Sequence, residues 1–209
     1  YQKPTLEKRL FFDVIPKNVD EYLQHVSKFP EQDAKTQLGN PAFHIHNGTP
    51  PVEDAHISYN ILLNLASVVN TEDKAVLWHF ISRYVPEATP ENAPTLDKLT
   101  EYAVSYFQDF IKPHKQYRAP DELERAALED LLKTLGTLPV ETISEDIQTE
   151  VYSVGKRHDF EDLKAWFKCL YEILLGQSTG PRMGSFIALY GLEETKTLIQ
   201  KVLDGEALD

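Results

Sequence analysis

Asp159-Phe-Glu-Asp-Leu-Lys-Ala-Trp-Phe-Lys-Cys-Leu-Tyr-Glu-Ile-Leu-Leu-Gly176 is the stretch whose spacing decides the fold. At about 100° per residue, Phe160, Leu163, Phe167, Leu170 and Leu174 share one face. Trp166, Cys169 and Ile173 widen the apolar arc to about half the circumference. A helix this apolar predicts a central place in a bundle, with Asp159 as its N-cap and Gly176 at its end. The remaining polar stripe carries Lys164 and Lys168 one turn apart.

The same period recurs outward from this segment. Val19, Tyr22, Leu23 and Val26 predict a short helix after Pro16, and Ile57, Ile61, Leu62, Leu65, Val68 and Val69 a longer one. Thr71 offers an N-cap, with Glu72 and Asp73 in the first turn of a helix that buries Leu77, Phe80, Ile81 and Tyr84. Beyond Pro86, Pro90 and Pro94, an aromatic stripe of Leu99, Ala103, Tyr106, Phe107 and Phe110 stops at Pro113. Leu123, Ala127, Leu128, Leu131 and Leu135 follow Pro120 and end at Gly136, predicted to be a left-handed cap. Thr142 and Glu145 have capping-box spacing before Ile143, Ile147, Val151 and Val154, with Gly155 as the predicted end. The connector Gly176-Gln-Ser-Thr-Gly-Pro-Arg-Met-Gly184 leads to Phe186, Ile187, Leu189 and Tyr190, and Leu198, Ile199, Val202 and Leu203 close the pattern.

The reading is therefore all-α: a helical bundle or α-helix cage of about eight or nine helices. Residues 29–55 lack a sustained period and contain Pro30, Pro41, Pro50 and Pro51, which predicts an irregular N-terminal connector. The expected organisation is a connector over 1–55, a first helical bundle over 56–139 and a C-terminal helical subdomain over 140–209. No repeat of 20 to 50 residues supports a solenoid.

Composition narrows the class further. The 209 residues are 42% hydrophobic and 26% charged, near globular averages, and no apolar run approaches the roughly 20 residues that cross a bilayer. One cysteine, Cys169, excludes an intrachain disulfide framework and fits a reducing compartment, so a cytoplasmic location is expected. The start at Tyr1, without methionine or signal pattern, reads as a piece of a longer protein. Net charge is -12, which by itself opposes a polyanionic partner. The charge is uneven, however. Residues 151–203 hold seven bases and six acids, net +1, leaving -13 on the rest. Lys112-Pro-His-Lys-Gln-Tyr-Arg118 is a second basic stretch, between two helical patterns.

Familiar catalytic patterns are missing. His44, His46 and His56 have no His-Glu-x-x-His pair, cysteine pair or suitably offset carboxylate to complete a metal site. Val154-Gly-Lys-Arg157 lacks the earlier glycine and following Ser or Thr of a phosphate-binding loop. No Gly-x-Ser-x-Gly elbow supplies a hydrolase nucleophile. Carboxylates mostly stand at i,i+3 or i,i+4 from bases, as in Glu161 with Lys164 and Lys168 with Glu172.

The run Ala165-Trp-Phe-Lys-Cys-Leu-Tyr-Glu-Ile-Leu-Leu-Gly-Gln-Ser-Thr-Gly-Pro-Arg-Met-Gly-Ser-Phe-Ile-Ala-Leu-Tyr-Gly191 resembles the carboxy-terminal signature of class I lysyl-tRNA synthetases. Tyr1-Gln-Lys-Pro4, Phe12-Asp-Val-Ile-Pro-Lys-Asn-Val-Asp-Glu-Tyr22, Leu62-Leu-Asn-Leu-Ala-Ser67 and Tyr117-Arg-Ala-Pro120 resemble the same family in the same order. The family resemblance implies a parent that joins lysine to its tRNA using ATP and Mg²⁺. It also implies that this chain follows the catalytic domain. His44-Ile-His-Asn47 imitates the family's His-Ile-Gly-His-like ATP loop, but His46 replaces the glycine and no doubly wound sheet is readable. A fragment without either ATP loop is expected to hold no cofactor, to have no catalytic residue and to serve as the anticodon-binding part.

The expected mechanism is recognition of the lysine tRNA anticodon, with unstacked bases on aromatic or guanidinium planes and phosphates on Lys and Arg. Arg182 is expected to read or stack on a base, with Gln177 and Ser178 as polar partners, and Lys164, Lys168 and Arg157 to hold phosphates. Trp166, Phe167, Tyr171 and Phe186 are the stacking candidates, although helical phase favours the core for Phe167 and, less strongly, for Trp166. A competing role for Arg182 is to cap the carbonyls of the preceding helix. Lysine tRNA is the expected partner, without DNA or membrane. Two alternatives share the helical architecture: a protein-interaction module, and the anticodon domain of a glutamyl-type class I synthetase.

Overall fold

The computed structural model describes residues 11–52 and 57–208. Tyr1-Gln-Lys-Pro4 and His56, both invoked above, lie outside the described residues. Eleven α-helices and no strand occur among the described residues, and nine of the helices have seven or more residues. The all-α expectation holds. No described helix is long and apolar enough to cross a membrane. Contacts divide the chain into two compact units, Tyr1–Asn60 and Ile61–Asp209.

In the first unit, Pro16 opens α1 (Ile15–Lys28), where a missing amide proton carries no penalty. The segment expected to be irregular forms two short helices, α2 (Ala34–Gly39) and α3 (Pro41–Ile45). Side-chain caps start them where periodicity is too short to read: Asp33 accepts from Thr36 N at 2.8 Å and Asn40 from Ala42 N at 2.9 Å. The Asn40 amide also donates to the His25 carbonyl and to Gln32, each at 2.9 Å. Asp20 accepts from Tyr59 N at 2.6 Å and Asn60 N at 3.2 Å, satisfying the first donors of α4 (Tyr59–Val69). His44 meets the Leu38 carbonyl and His46 the Tyr22 hydroxyl, each at 2.8 Å. Among the described residues, no group of three or more His, Cys, Asp or Glu is placed to hold a metal ion.

The second unit contains α5 (Lys74–Tyr84), α6 (Pro94–Tyr106), α7 (Glu122–Leu135), α8 (Ser144–Arg157), α9 (Leu163–Leu170), α10 (Met183–Tyr190) and α11 (Leu192–Leu203). Residues Phe107–Ile111 extend α6, and Tyr171–Leu175 extend α9, as π-helical turns. One buried cluster joins Leu128 and Leu131 of α7, Val151 of α8, Trp166 and Leu170 of α9, Phe186 of α10 and Ile199 of α11. It thus spans both sides of position 139. Burial of these side chains, at about 1.5–3 kcal/mol each, holds the helices together.

Several termini differ from expectation. Asp73 rather than Thr71 caps α5, accepting from Ala75 N at 2.8 Å, while Thr71 Oγ1 accepts from Asp73 N. Gly136 is right-handed at φ -67. Ile143 precedes α8 without a side-chain cap, because the Thr142 hydroxyl donates back to the Pro139 carbonyl at 2.6 Å. Gly155 does not end α8. It lies inside the helix, where an added Cβ would strike the indole of Trp166. Asp162, not Asp159, caps α9 by accepting from Ala165 N at 2.7 Å. Gly176, at φ +66, ends the following turn as expected.

Candidate nucleic-acid interface

With Asp162 as cap, α9 buries Trp166, Cys169 and Leu170 and leaves Lys164 and Lys168 on its exposed stripe. The stripe forms one wall of a cleft of about 570 Å³. Tyr152 of α8 and Phe167 of α9 form another wall, their rings edge-to-face at 5.0 Å. Tyr171 closes the end, its hydroxyl donating to the Pro181 carbonyl at 2.9 Å. Burial pushes the Tyr171 phenol above its ordinary pKa, so it remains a neutral donor at pH 7.

Arg182 reaches this cleft because α10 lies directly against α8. Gly184 makes the approach possible, since a Cβ there would meet the Ser144 carbonyl and stand 2.7 Å from Gln148 N. Gln148 also accepts from Gly184 N at 2.7 Å, tying the two helices together. The Arg182 guanidinium pairs with Glu145 at 3.3 Å across the same junction, rather than with a carbonyl of the preceding helix. Both partners are more than half exposed, 54% and 61%, so the pair is weak and exchangeable. Lys168 is 3.5 Å from Glu172 and itself 62% exposed. Lys164 makes no ion pair among the described residues.

The expected site residues separate into two sets. Lys164, Lys168, Tyr171, Ser178 and Arg182 share the cleft. Trp166 and Phe186 are core residues, 0% and 1% exposed, and offer no ring face to a ligand. Trp166 Nε1 donates to the Val151 carbonyl at 3.0 Å, and the Phe186 ring stacks on Tyr190 at 5.6 Å. Arg157 turns toward α7, forked on Asp130 at 2.9 and 3.0 Å. That guanidinium holds the Asp130 carboxyl below its usual range. Gln177 is not among the residues of this cleft and donates to Asn64 at 3.3 Å.

Sequence reasoning missed Tyr152, Gln148 and Met183 as lining residues. A signal existed for two of them. Gln148 and Tyr152 are four apart and each follows a core residue, Ile147 and Val151, so both fall on the border of the buried arc.

No family model matches the chain, and no solved structure matches it. Curated relatives do. Lysine–tRNA ligase of Rickettsia bellii (strain OSU 85-389) is 52% identical over 205 residues, 97% of this chain and 39% of the relative. That of Rickettsia akari (strain Hartford) is 52% identical over 201 residues, 95% of this chain and 38% of the relative. The Roseobacter denitrificans enzyme is 51% identical over 208 residues, 100% of this chain and 39% of the relative. The chain thus spans about two fifths of the length of these relatives. It is a partial lysyl-tRNA synthetase region.

Proposed function

We propose that this region binds lysine tRNA for a class I lysine–tRNA ligase and reads its anticodon in the cleft between α8, α9 and the start of α10. The observation that carries this reading is the gathering of Lys164, Lys168 and Arg182 around the rings of Tyr152, Phe167 and Tyr171. Cations that track phosphates beside rings that take bases are what single-stranded RNA requires. The uneven charge supports the same assignment, because the acidic surface elsewhere repels RNA from the wrong face.

In this reading the parent enzyme works in the cytoplasm, binds ATP and Mg²⁺ in its other part and carries out the ligation there. The present chain supplies RNA recognition and does not itself ligate. Trp166 and Phe186 hold the scaffold, and Arg157 braces α8 on α7. Arg182→Ala tests the assignment. It should weaken lysine tRNA binding by about 1–3 kcal/mol, with little change in melting temperature, since an exposed ion pair contributes at most about 1 kcal/mol. Unchanged affinity with a large loss of stability would assign Arg182 to the fold instead.

A further inference from the structure

The basic stretch Lys112-Pro-His-Lys-Gln-Tyr-Arg118 takes no part in the cleft just described, yet its residues 114–118 line a second one of about 540 Å³. The two clefts meet at Ser178, which lines both. The base of the second is rigidly built. Gln116 N donates to the Gly176 carbonyl at 2.9 Å. Lys115 Nζ donates to the Ser67 carbonyl at 2.6 Å and lies 4.8 Å from the Tyr117 ring centre. Arg118 forks onto Glu124 at 2.6 Å and contacts Glu172 at 2.7 Å.

These cations are already committed, and Glu172 and Glu124 offset them. With Glu124 beside Arg118 and Glu172 shared between Arg118 and Lys168, the second cleft is closer to charge balance than its neighbour, whose Lys164, Lys168 and Arg182 face Glu145 and the same Glu172. A balanced cleft suits an uncharged aromatic group better than a phosphate. Its lining includes Phe110, 39% exposed and packed against Tyr106 with ring centres 4.9 Å apart, together with the exposed hydroxyls of Ser178 and Thr179. A partly exposed ring in the same cleft as hydroxyl donors and acceptors is the equipment for one nucleobase.

We propose that the second cleft binds the base of the nucleotide adjoining the one held in the first, stacked on Phe110 and hydrogen-bonded by Thr179. The proposal rests on the RNA-binding reading above and divides the labour. The first cleft holds a base and the flanking phosphates; the second holds a base only.

The test measures fluorescence anisotropy of the 209-residue protein with a labelled lysine tRNA anticodon stem-loop, and with loops carrying an abasic site at each anticodon position in turn. Circular dichroism checks folding of each variant. Phe110→Ala and Thr179→Ala should each weaken binding about fivefold or more, without changing the salt slope. One abasic loop should abolish both effects, and a different one should abolish the effect of Tyr152→Ala in the first cleft. If Arg182→Ala and Tyr152→Ala weaken binding but Phe110→Ala and Thr179→Ala do not, the second subsite is wrong and the first stands. The same holds if one abasic position cancels all of these effects. If the wild-type protein does not bind the loop, or Arg182→Ala and Tyr152→Ala bind as wild type, the RNA reading falls and this proposal with it.

Discussion

Gly184→Ala is the perturbation that most directly tests how the site is positioned. An added methyl would meet the Ser144 carbonyl oxygen and lie 2.6 Å from Gln148 Cβ and 2.7 Å from Gln148 N. Carbon atoms settle about 3.5–4.0 Å apart, so α10 must withdraw from α8 by about 1 Å. Overfilling a packed junction costs about 1–3 kcal/mol. The movement also stretches the 2.7 Å bond from Gly184 N to Gln148, and a buried donor deprived of its acceptor costs a further 1–3 kcal/mol or so. Alanine's better helix propensity returns less than about 1 kcal/mol in a first turn. The net loss is about 3 kcal/mol, or roughly 6–12 °C in melting temperature for a chain of this size. Thermal melting followed by circular dichroism reads it directly. Gly39→Ala is the control, with nothing within 4 Å of the new atom, and should change stability by less than about 0.5 kcal/mol. A Gly184→Ala variant melting within about 2 °C of wild type would refute the close-approach argument.

Three further outcomes are expected. Trp166→Ala should cost about 3–5 kcal/mol of stability in denaturant titration, while leaving the affinity of the folded fraction for RNA unchanged; a selective loss of affinity would return Trp166 to the interface. Lys164→Ala and Lys168→Ala should each weaken RNA binding regardless of anticodon sequence and reduce the salt slope by about 0.7, whereas an unaltered slope would remove them from the phosphate path. Acid titration of stability should fall below about pH 4.5, the ordinary glutamate value. Asp97, Glu124, Asp130 and Glu194 are held low chiefly by hydrogen bonds from Lys74, Arg118, Arg157 and Arg83. Their stabilisation is present above the unfolded pKa and lost as pH falls through the lowered folded value. Burial of Asp20 acts in the opposite direction, as one group against four. Stability that rises on acidification through this window would contradict the ion-pair account.

Helix phase made much of the architecture legible. Leu163, Leu170 and Leu174 fall on the apolar arc read from spacing alone, and Lys164 and Lys168 on the stripe left over. Phase assigns Phe167 to the core face with Trp166 beside it, yet Trp166 is fully buried and Phe167 only partly. Gly155 decides them, because its missing side chain admits the indole and leaves Phe167 against Tyr152 at the surface. Caps were less legible, since Asp159 and Asp162, or Thr71 and Asp73, have equivalent local chemistry and tertiary packing selects between them. The π-helical turns at 107–111 and 171–175 carry no spacing signal, yet the second re-aims Tyr171 toward Pro181. The partners of Arg157 and Gln177 lie 27 and 113 residues away in sequence, a separation that no local pattern encodes.

Equilibrium binding to two RNAs decides whether the cleft around Arg182 reads the lysine anticodon. Lysine tRNA and the same tRNA with a replaced anticodon should differ in affinity for the wild-type protein, and Arg182→Ala should remove about 1–3 kcal/mol of that difference. Equal affinity for the two RNAs, at a salt concentration where both bind, would contradict the claim.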